Sequence, residues 1–206
     1  MKEYRNDIIT RAANIDKPKK VEAFESLNRI ITETDAPAVD DLARLYAYFL
    51  PKPPARAKTP MQWVAKAVAG KSDVRVCLQH MYSNGEYLVA SDGHRLHGIT
   101  TTLPAGYYDI AGNQITISDE YPDWCRILPE ESCNIGTTIE TLATERVADY
   151  VVVNLIEDIW VNLRYLQAIA NGAPTVTVTA YADTHQPVRV AGPFPGSFAV
   201  IMPVNV

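Results

Sequence analysis

The sequence has little cysteine and no long apolar run, and both absences narrow the class of protein. Its three cysteines, Cys77, Cys125 and Cys133, are an odd number and lack the pair spacing of zinc sites. We therefore expect reduced thiols, a cytoplasmic location and no disulfide framework. No stretch is apolar enough to span a bilayer, and the opening residues, Met1–Arg5, lack the apolar core of a signal peptide.

The sequence also lacks the short motifs of the common enzyme classes. It contains no P-loop, no dinucleotide-binding glycine fingerprint and no nucleophile elbow. Asp92, His94 and His97 could be read as metal ligands, but His94 and His97 would point to opposite faces of a strand. Asp92 is better explained as a turn residue whose side chain bonds the backbone. We therefore predict a non-catalytic protein with no metal site and no cofactor.

Charge is distributed unevenly along the chain. Residues 1–71 hold 13 Lys and Arg against 9 Asp and Glu, whereas residues 72–206 hold 6 against 15. The first part is basic, but too weakly to predict nucleic-acid binding by itself. A solvated helical surface explains its charge equally well, so both interpretations stay open.

A proline-rich stretch divides the chain. Residues 1–50 show the three- and four-residue apolar spacing of amphipathic helices. The prolines of Leu50–Lys58 forbid a helix and favour an extended linker. We therefore predict an N-terminal helical segment, residues 1–57, and a second domain over residues 58–206.

In the first half of that domain, residues 58–130, a helix is followed by strands. Thr59 and Pro60 predict the start of the helix, and Gly70 predicts its end. Alternating apolar and polar residues from Val74 onward then predict strands. Tight-turn sequences separate these strands at Asn84-Gly85, Asp92-Gly93 and Ala111-Gly112-Asn113.

The second half, residues 131–206, repeats this order. Asn162 predicts the start of a second helix that ends at Gly172. Threonines alternating with apolar residues from Thr175, and two further apolar runs, predict the strands that follow. One helix followed by antiparallel strands therefore occurs twice, which predicts an α+β fold with an internal repeat.

Three segments of this domain carry longer motifs. They are Tyr87–Leu96 (YLVASDGHRL), Tyr121–Pro129 (YPDWCRILP) and Phe198–Val206 (FAVIMPVNV). In this order they resemble a strand-turn-strand signature, an interdomain segment and the C-terminal strand of the bacterial DNA polymerase III β sliding clamp. The resemblance covers about residues 59–206, too few for the family's three domains. It implies a shortened, clamp-like relative, for which we expect a phage or mobile-element origin.

The resemblance implies a peptide-binding groove. In the family, a groove between the middle and last domains accepts short motifs of DNA polymerase, clamp-loader and repair proteins. The matching positions here are Leu78, Gly93, His94, Arg95, Leu96, Pro122, Ile127, Val200, Met202, Pro203 and Val204. The expected apolar floor consists of Leu78, Leu96, Ile127, Val200 and Met202. His94 and Arg95 would orient peptide carbonyls or a carboxylate. Such a groove requires the terminal Met-Pro strand to lie beside the Gly-His-Arg turn.

The resemblance also implies contact with duplex DNA, because clamp helices line a central hole and touch phosphates without reading sequence. The candidate contacts here are Arg56, Lys58, Lys66, Lys71 and Arg164. We therefore expect a sliding-clamp-like processivity factor that tethers partner proteins to DNA, as a homo-oligomeric ring if copies assemble. The alternative is a monomeric or dimeric peptide-binding adaptor or decoy that encircles nothing. Molar mass in solution would separate the two.

Overall fold

The computed structural model of the chain describes residues 52–128, 134–138, 144–147, 150–156, 159–179 and 186–205. All of them except Lys52 belong to one compact unit, Pro53–Val206. The predicted N-terminal helices lie outside the described residues. A domain boundary after residue 57 therefore stays a prediction.

Strands dominate the described residues. The helices are α1 (Pro60–Ala65) and α2 (Leu163–Ala170), with 3-10 helices at Val76–Gln79 and Trp124–Ile127. The strands are β1 (Met81–Ser83), β2 (Tyr87–Ser91), β3 (Arg95–Thr100), β4 (Gly106–Tyr108), β5 (Gln114–Ile115), β6 (Asn134–Thr138), β7 (Thr144–Val147), β8 (Tyr150–Ile156), β9 (Ile159–Asn162), β10 (Thr175–Thr179), β11 (Val188–Ala191) and β12 (Ser197–Ile201). Among these described elements, no helix is long and apolar enough to cross a membrane.

Nine strands form one sheet whose centre joins the two repeats. The order is β5-β4-β1-β2-β3-β12-β11-β10-β6, and β7-β8-β9 form a separate three-stranded sheet. The third strand after each helix, β3 and β12, pair with each other in antiparallel register, Leu96 opposite Val200. The strands of the first repeat therefore lie on one side of the sheet and those of the second repeat on the other, and the pair β3–β12 joins them. This confirms the predicted α+β fold with a repeat of one helix plus antiparallel strands.

The two helices meet on one face of the nine-stranded sheet. Helix α1 packs on β2 and β3, and α2 packs on β8, β9 and β12. Trp63 of α1 joins the layers: its indole Nε1 donates to the carbonyl of Ile169 in α2 at 3.0 Å, and its ring stacks on His97 of β3 at 4.3 Å. We call this side of the sheet the helix face and the opposite side the outer face.

The turns and the second helix form as predicted, because their signals are local. The Asn84 side chain accepts hydrogen bonds from two backbone N–H groups in the β1–β2 turn, where Gly85 has a φ of 95°. Asn162 caps α2, and the chain leaves the helix through Asn171 and Gly172, both at positive φ.

The strand predicted from Val74 onward is wrong in its first part. Val76–Gln79 is a 3-10 helix, and Val74 is 93% exposed. The Asp73 carboxylate accepts a hydrogen bond from the backbone N–H of Arg75 at 2.9 Å and a second from its guanidinium Nε at 3.0 Å. Such local side-chain bonds compete with strand pairing, and the apolar alternation here does not correspond to burial.

Helix α1 begins where predicted and ends early. The Thr59 hydroxyl accepts a hydrogen bond from the N–H of the third helical residue at 3.2 Å, as expected of a cap. The helix ends at Ala65, well before Gly70. The N–H of Ala69 instead donates to the carbonyl of Leu78 at 2.9 Å, which ties this stretch to the 3-10 helix.

Candidate functional site

The candidate site forms where the β2–β3 turn meets the end of β12. In the β3–β12 register, Arg95 pairs with Ile201, and one residue further the N–H of Met202 donates to the carbonyl of His94 at 2.9 Å. The terminal Met-Pro segment therefore lies beside the Gly-His-Arg turn, as the predicted groove requires.

Hydrogen bonds hold the β2–β3 turn in a single shape. Asp92 Oδ1 accepts from the N–H groups of His94 and Arg95 at 3.0 and 3.1 Å. The Ser91 hydroxyl donates to the carbonyl of Arg95 at 2.8 Å, and Gly93 has a φ of 89°, which other residues rarely adopt. Asp92 therefore caps the turn. The described part of the chain contains no group of three or more His, Cys, Asp or Glu that could hold a metal.

Strand alternation separates the predicted site residues into two sets, because successive side chains point to opposite faces. Leu96 and Val200 lie on the outer face in one apolar cluster, the outer cluster, which comprises Ala69, Cys77, Leu78, Val89, Leu96, Tyr107, Tyr121, Trp124, Phe198 and Val200. Arg95 points to the helix face, where its Nη2 donates to the carbonyl of Lys66 at 2.6 Å. The structure therefore does not bring the Arg95 side chain to the predicted groove.

The predicted apolar floor is packed rather than open. Leu78, Leu96 and Val200 keep only 3%, 0% and 1% of their surface exposed, and half-buried Ile127 packs against the outer cluster. Met202 differs, with 37% exposed. Met202 and Ile127 are therefore the accessible members of the predicted floor, and an apolar side chain could contact them directly. It would reach the three buried residues only after neighbouring side chains move.

The residues of the predicted groove that remain accessible, which we call the Met202 surface, are Met202, half-buried Ile127, exposed Gly93, His94 and Pro122, and half-buried Pro203 and Val204. The N–H of Val204 donates to the carbonyl of Trp160 in β9 at 2.8 Å. The terminal segment is thus tied to the central sheet through Met202 and to the three-stranded sheet through Val204. These two bonds hold the Met202 backbone in place while leaving its side chain exposed.

Arg75 belongs to this site, although sequence reasoning missed it. Its guanidinium lies against Gly93, where a Cβ would sit 2.9 Å from Nη1, and Nη2 donates to the Asp92 carbonyl at 3.3 Å. Asp73 pairs with it at 2.8 Å, and hydrogen bonds from Arg75 lower the pKa of the Asp73 carboxyl to about 2. The sequence signal was the Asp-Val-Arg run that precedes Leu78.

Comparisons with known proteins bear on this arrangement. No protein-family model and no curated protein matches the sequence. Solved structures do match. The β sliding clamp of Caulobacter crescentus is 16% identical, with a TM-score of 0.52 over 71% of this chain and 63% of that one. The DNA polymerase III β subunit of Thermotoga maritima is 13% identical, with a TM-score of 0.53 over 76% and 67%. The sliding clamp of Pseudomonas aeruginosa is 16% identical, with a TM-score of 0.52 over 78% and 70%.

This chain has the fold of a bacterial sliding clamp. At these identities the likeness concerns the fold alone, and it confirms the architecture expected from the three motifs. The chain spans 63% of the length of the C. crescentus clamp.

The five candidate DNA contacts are not equivalent. Lys66 is half-buried and its Nζ donates to Asn171 Oδ1 at 3.0 Å; burial, and then the charge of Arg95, lower its pKa. Arg56 is exposed but donates to the carbonyl of Gly172 at 3.0 Å. Exposed side chains also stand at Lys58, Lys71 and Arg164. Lys66 thus serves the junction between α1 and the end of α2 rather than the surface.

Proposed function

We propose that this chain is a non-catalytic, clamp-like processivity factor of DNA replication that works in the cytoplasm. Its Met202 surface would bind short clamp-binding motifs of DNA polymerase, clamp-loader or repair proteins. The observation that carries the proposal is the 2.9 Å hydrogen bond from the Met202 N–H to the His94 carbonyl. This bond sets an exposed, adaptable methionine against a rigid turn. The C. crescentus clamp, which shares the fold, has polyethylene glycol bound at a region described as tethering β-motifs.

The chemistry of the Met202 surface suits a short apolar motif. Methionine has three rotatable bonds and a polarisable sulfur, so Met202 can adapt its shape to different anchor side chains. Each anchor that is fully buried contributes about 1.5–3 kcal/mol. Two anchors and a few backbone hydrogen bonds, less the cost of ordering the peptide, correspond to about micromolar affinity.

We further propose that the helix face contacts duplex DNA without sequence specificity. Arg56, Lys58, Lys71 and Arg164 are exposed, whereas Lys66 is engaged by Asn171. So few phosphate contacts give weak, salt-sensitive binding. Lasting attachment to DNA would therefore come from several copies assembled into a ring, which a defined oligomeric mass in solution would support.

The test is titration with a fluorescent peptide that carries a Gln and a Leu-Phe pair, followed by anisotropy. We expect about micromolar affinity. Met202→Ala should weaken binding several-fold, because an exposed apolar contact is lost, and truncation after Ile201 should nearly abolish it. Ile110→Ala is a matched control, since Ile110 is 70% exposed in the β4–β5 turn. It should leave the affinity unchanged.

Equal affinity in the full chain and the truncated chain would contradict the proposal. Circular dichroism and thermal unfolding of each variant show whether the fold is retained. This check matters for the truncation, because it also removes the Val204–Trp160 hydrogen bond.

A further inference from the structure

We propose that Arg95 is a positioning residue that holds the Met202 surface in shape from the opposite face of the sheet. Arg95 does not touch the outer face, yet its contacts fix the turn that presents the His94 carbonyl to Met202. The consequence for peptide affinity rests on the proposed function. The consequence for the Met202 hydrogen bond does not.

The Arg95 guanidinium contacts three elements at once. Its Nε bonds Asp92 Oδ2 in the β2–β3 turn at 3.0 Å, and its Nη2 donates to the carbonyl of Lys66 at the end of α1 at 2.6 Å. Its Cζ lies 4.4 Å from the ring centroid of Tyr165 in α2, a cation–π contact. One side chain therefore connects the turn with both helices.

The contacts are strong because they are shielded from water. The side chains of Arg95 and Asp92 keep only 14% and 18% of their surface exposed. The Lys66 carbonyl belongs to the last turn of α1, where carbonyls lack intrahelical partners and favour a cation. Removing either charge would leave the other shielded without its ion-pair partner, which is unfavourable.

Arg95 acts on the Met202 surface through Asp92. One carboxylate oxygen of Asp92 accepts the N–H groups of His94 and Arg95, and the other accepts from the Arg95 guanidinium. The guanidinium therefore fixes the carboxylate rotamer, and the carboxylate fixes the turn. The turn in turn aligns the His94 carbonyl with the N–H of Met202.

A double-mutant cycle tests this chain of contacts. Arg95→Met removes the charge and keeps an apolar stem. Asp92→Asn can keep the oxygen that caps the turn, but it places an amide where Oδ2 accepted from Arg95. Each variant should weaken peptide binding about ten-fold, the scale of one lost charge-assisted bond. The double variant should also bind the peptide about ten-fold more weakly than wild type and not a hundred-fold, because both changes break the same interaction. Ile110→Ala, an exposed change in the β4–β5 turn, should leave the affinity unchanged.

Hydrogen exchange of the Met202 amide gives a readout that needs no peptide. We expect about ten-fold faster exchange of this amide in Arg95→Met, beyond any change in global unfolding measured in the same sample. If Arg95→Met does not fold, Asp92→Asn carries the same test, since it can retain the turn caps. Multiplicative losses in the cycle, or unchanged Met202 protection, would overturn the inference. A wild-type chain that binds no peptide would refute the proposed function and leave this exchange result to stand alone.

Discussion

His97 makes the stability of this protein depend on pH in a direction that follows from its surroundings. The side chain is fully buried, its ring stacks on Trp63, and its Nδ1 lies 2.8 Å from the Trp63 carbonyl. A carbonyl only accepts, so Nδ1 carries the proton of a neutral ring. The other nitrogen, Nε2, is buried without a hydrogen-bond partner. Burial lowers the pKa of His97 to about 3, the Trp63 hydrogen bond opposes this, and the charges of Arg95 and Lys66 reinforce it.

The sign follows from proton linkage. The unfolded chain binds a proton at His97 below its ordinary pKa of 6.5, whereas the native protein does not until about pH 3. The contribution of His97 to the free energy of unfolding is therefore fully present above pH 6.5. It falls as the pH is lowered from 6.5 towards 3, by up to about 1.4 kcal/mol per pH unit. Between pH 7.5 and pH 5.0 the loss from this residue is about 2 kcal/mol.

Urea unfolding at pH 7.5 and pH 5.0 measures this loss. The comparison is His97→Gln, which does not titrate and whose amide can still donate to the Trp63 carbonyl. All other titrating groups are common to both proteins, so their contributions cancel. The wild type should lose about 2 kcal/mol more than the variant on acidification. Equal losses would refute the reasoning, because they would mean that His97 accepts a proton in the folded state.

Two further predictions concern the β3–β12 strand pair and the proposed DNA contacts. Gly98→Ala should destabilise the protein by about 1–3 kcal/mol in urea unfolding, since the Phe198 ring lies across Gly98 with its Cζ 2.5 Å from the position of a Cβ; an unchanged midpoint would show that the ring moves freely. For DNA, Lys71→Ala combined with Arg164→Ala should reduce the slope of log affinity against log salt by about two, whereas Lys66→Gln should leave it as in wild type. An unchanged slope in the double variant would contradict the proposed DNA face.

Local chemistry explains which parts of the fold the sequence could predict. The turns at Asn84 and Asp92 and the cap at Asn162 form through bonds to backbone groups two or three residues away, so short motifs identify them. The failure at Val74 is also local: Asp73 and Arg75 bond each other and shape a 3-10 helix where apolar alternation predicts a strand. Alternation alone cannot show that a competing local bond exists.

The sequence could predict that the Gly-His-Arg turn lies beside the Met-Pro segment, but not how exposed the neighbouring side chains are or which face of the sheet they take. From the motifs we predicted that the Gly-His-Arg turn lies beside the Met-Pro segment, and the structure places them side by side. Which face Arg95 takes depends on the register of β3 against β12 and on contacts with Lys66 and Tyr165, all distant in sequence. The burial of Leu78 depends likewise on a cluster that draws in Tyr121 and Trp124. Burial by residues that are distant in sequence cannot be predicted from the local spacing of apolar residues.

The pairing of β3 with β12 places the proposed peptide-binding surface and the buried His97 on opposite faces of the sheet. Leu96 and Val200 lie on the outer face, and Met202 follows β12 with its side chain exposed, while His97 and Arg95 lie on the helix face. A change at Met202 should therefore alter peptide affinity without altering the acid sensitivity that His97 causes, and a change at His97 should do the reverse. Arg95 differs from both, because its bond to Asp92 connects the helix face to the turn. If Arg95→Met changes the peptide affinity and His97→Gln does not, the effect is transmitted through Asp92 and does not come from a general loosening of the sheet.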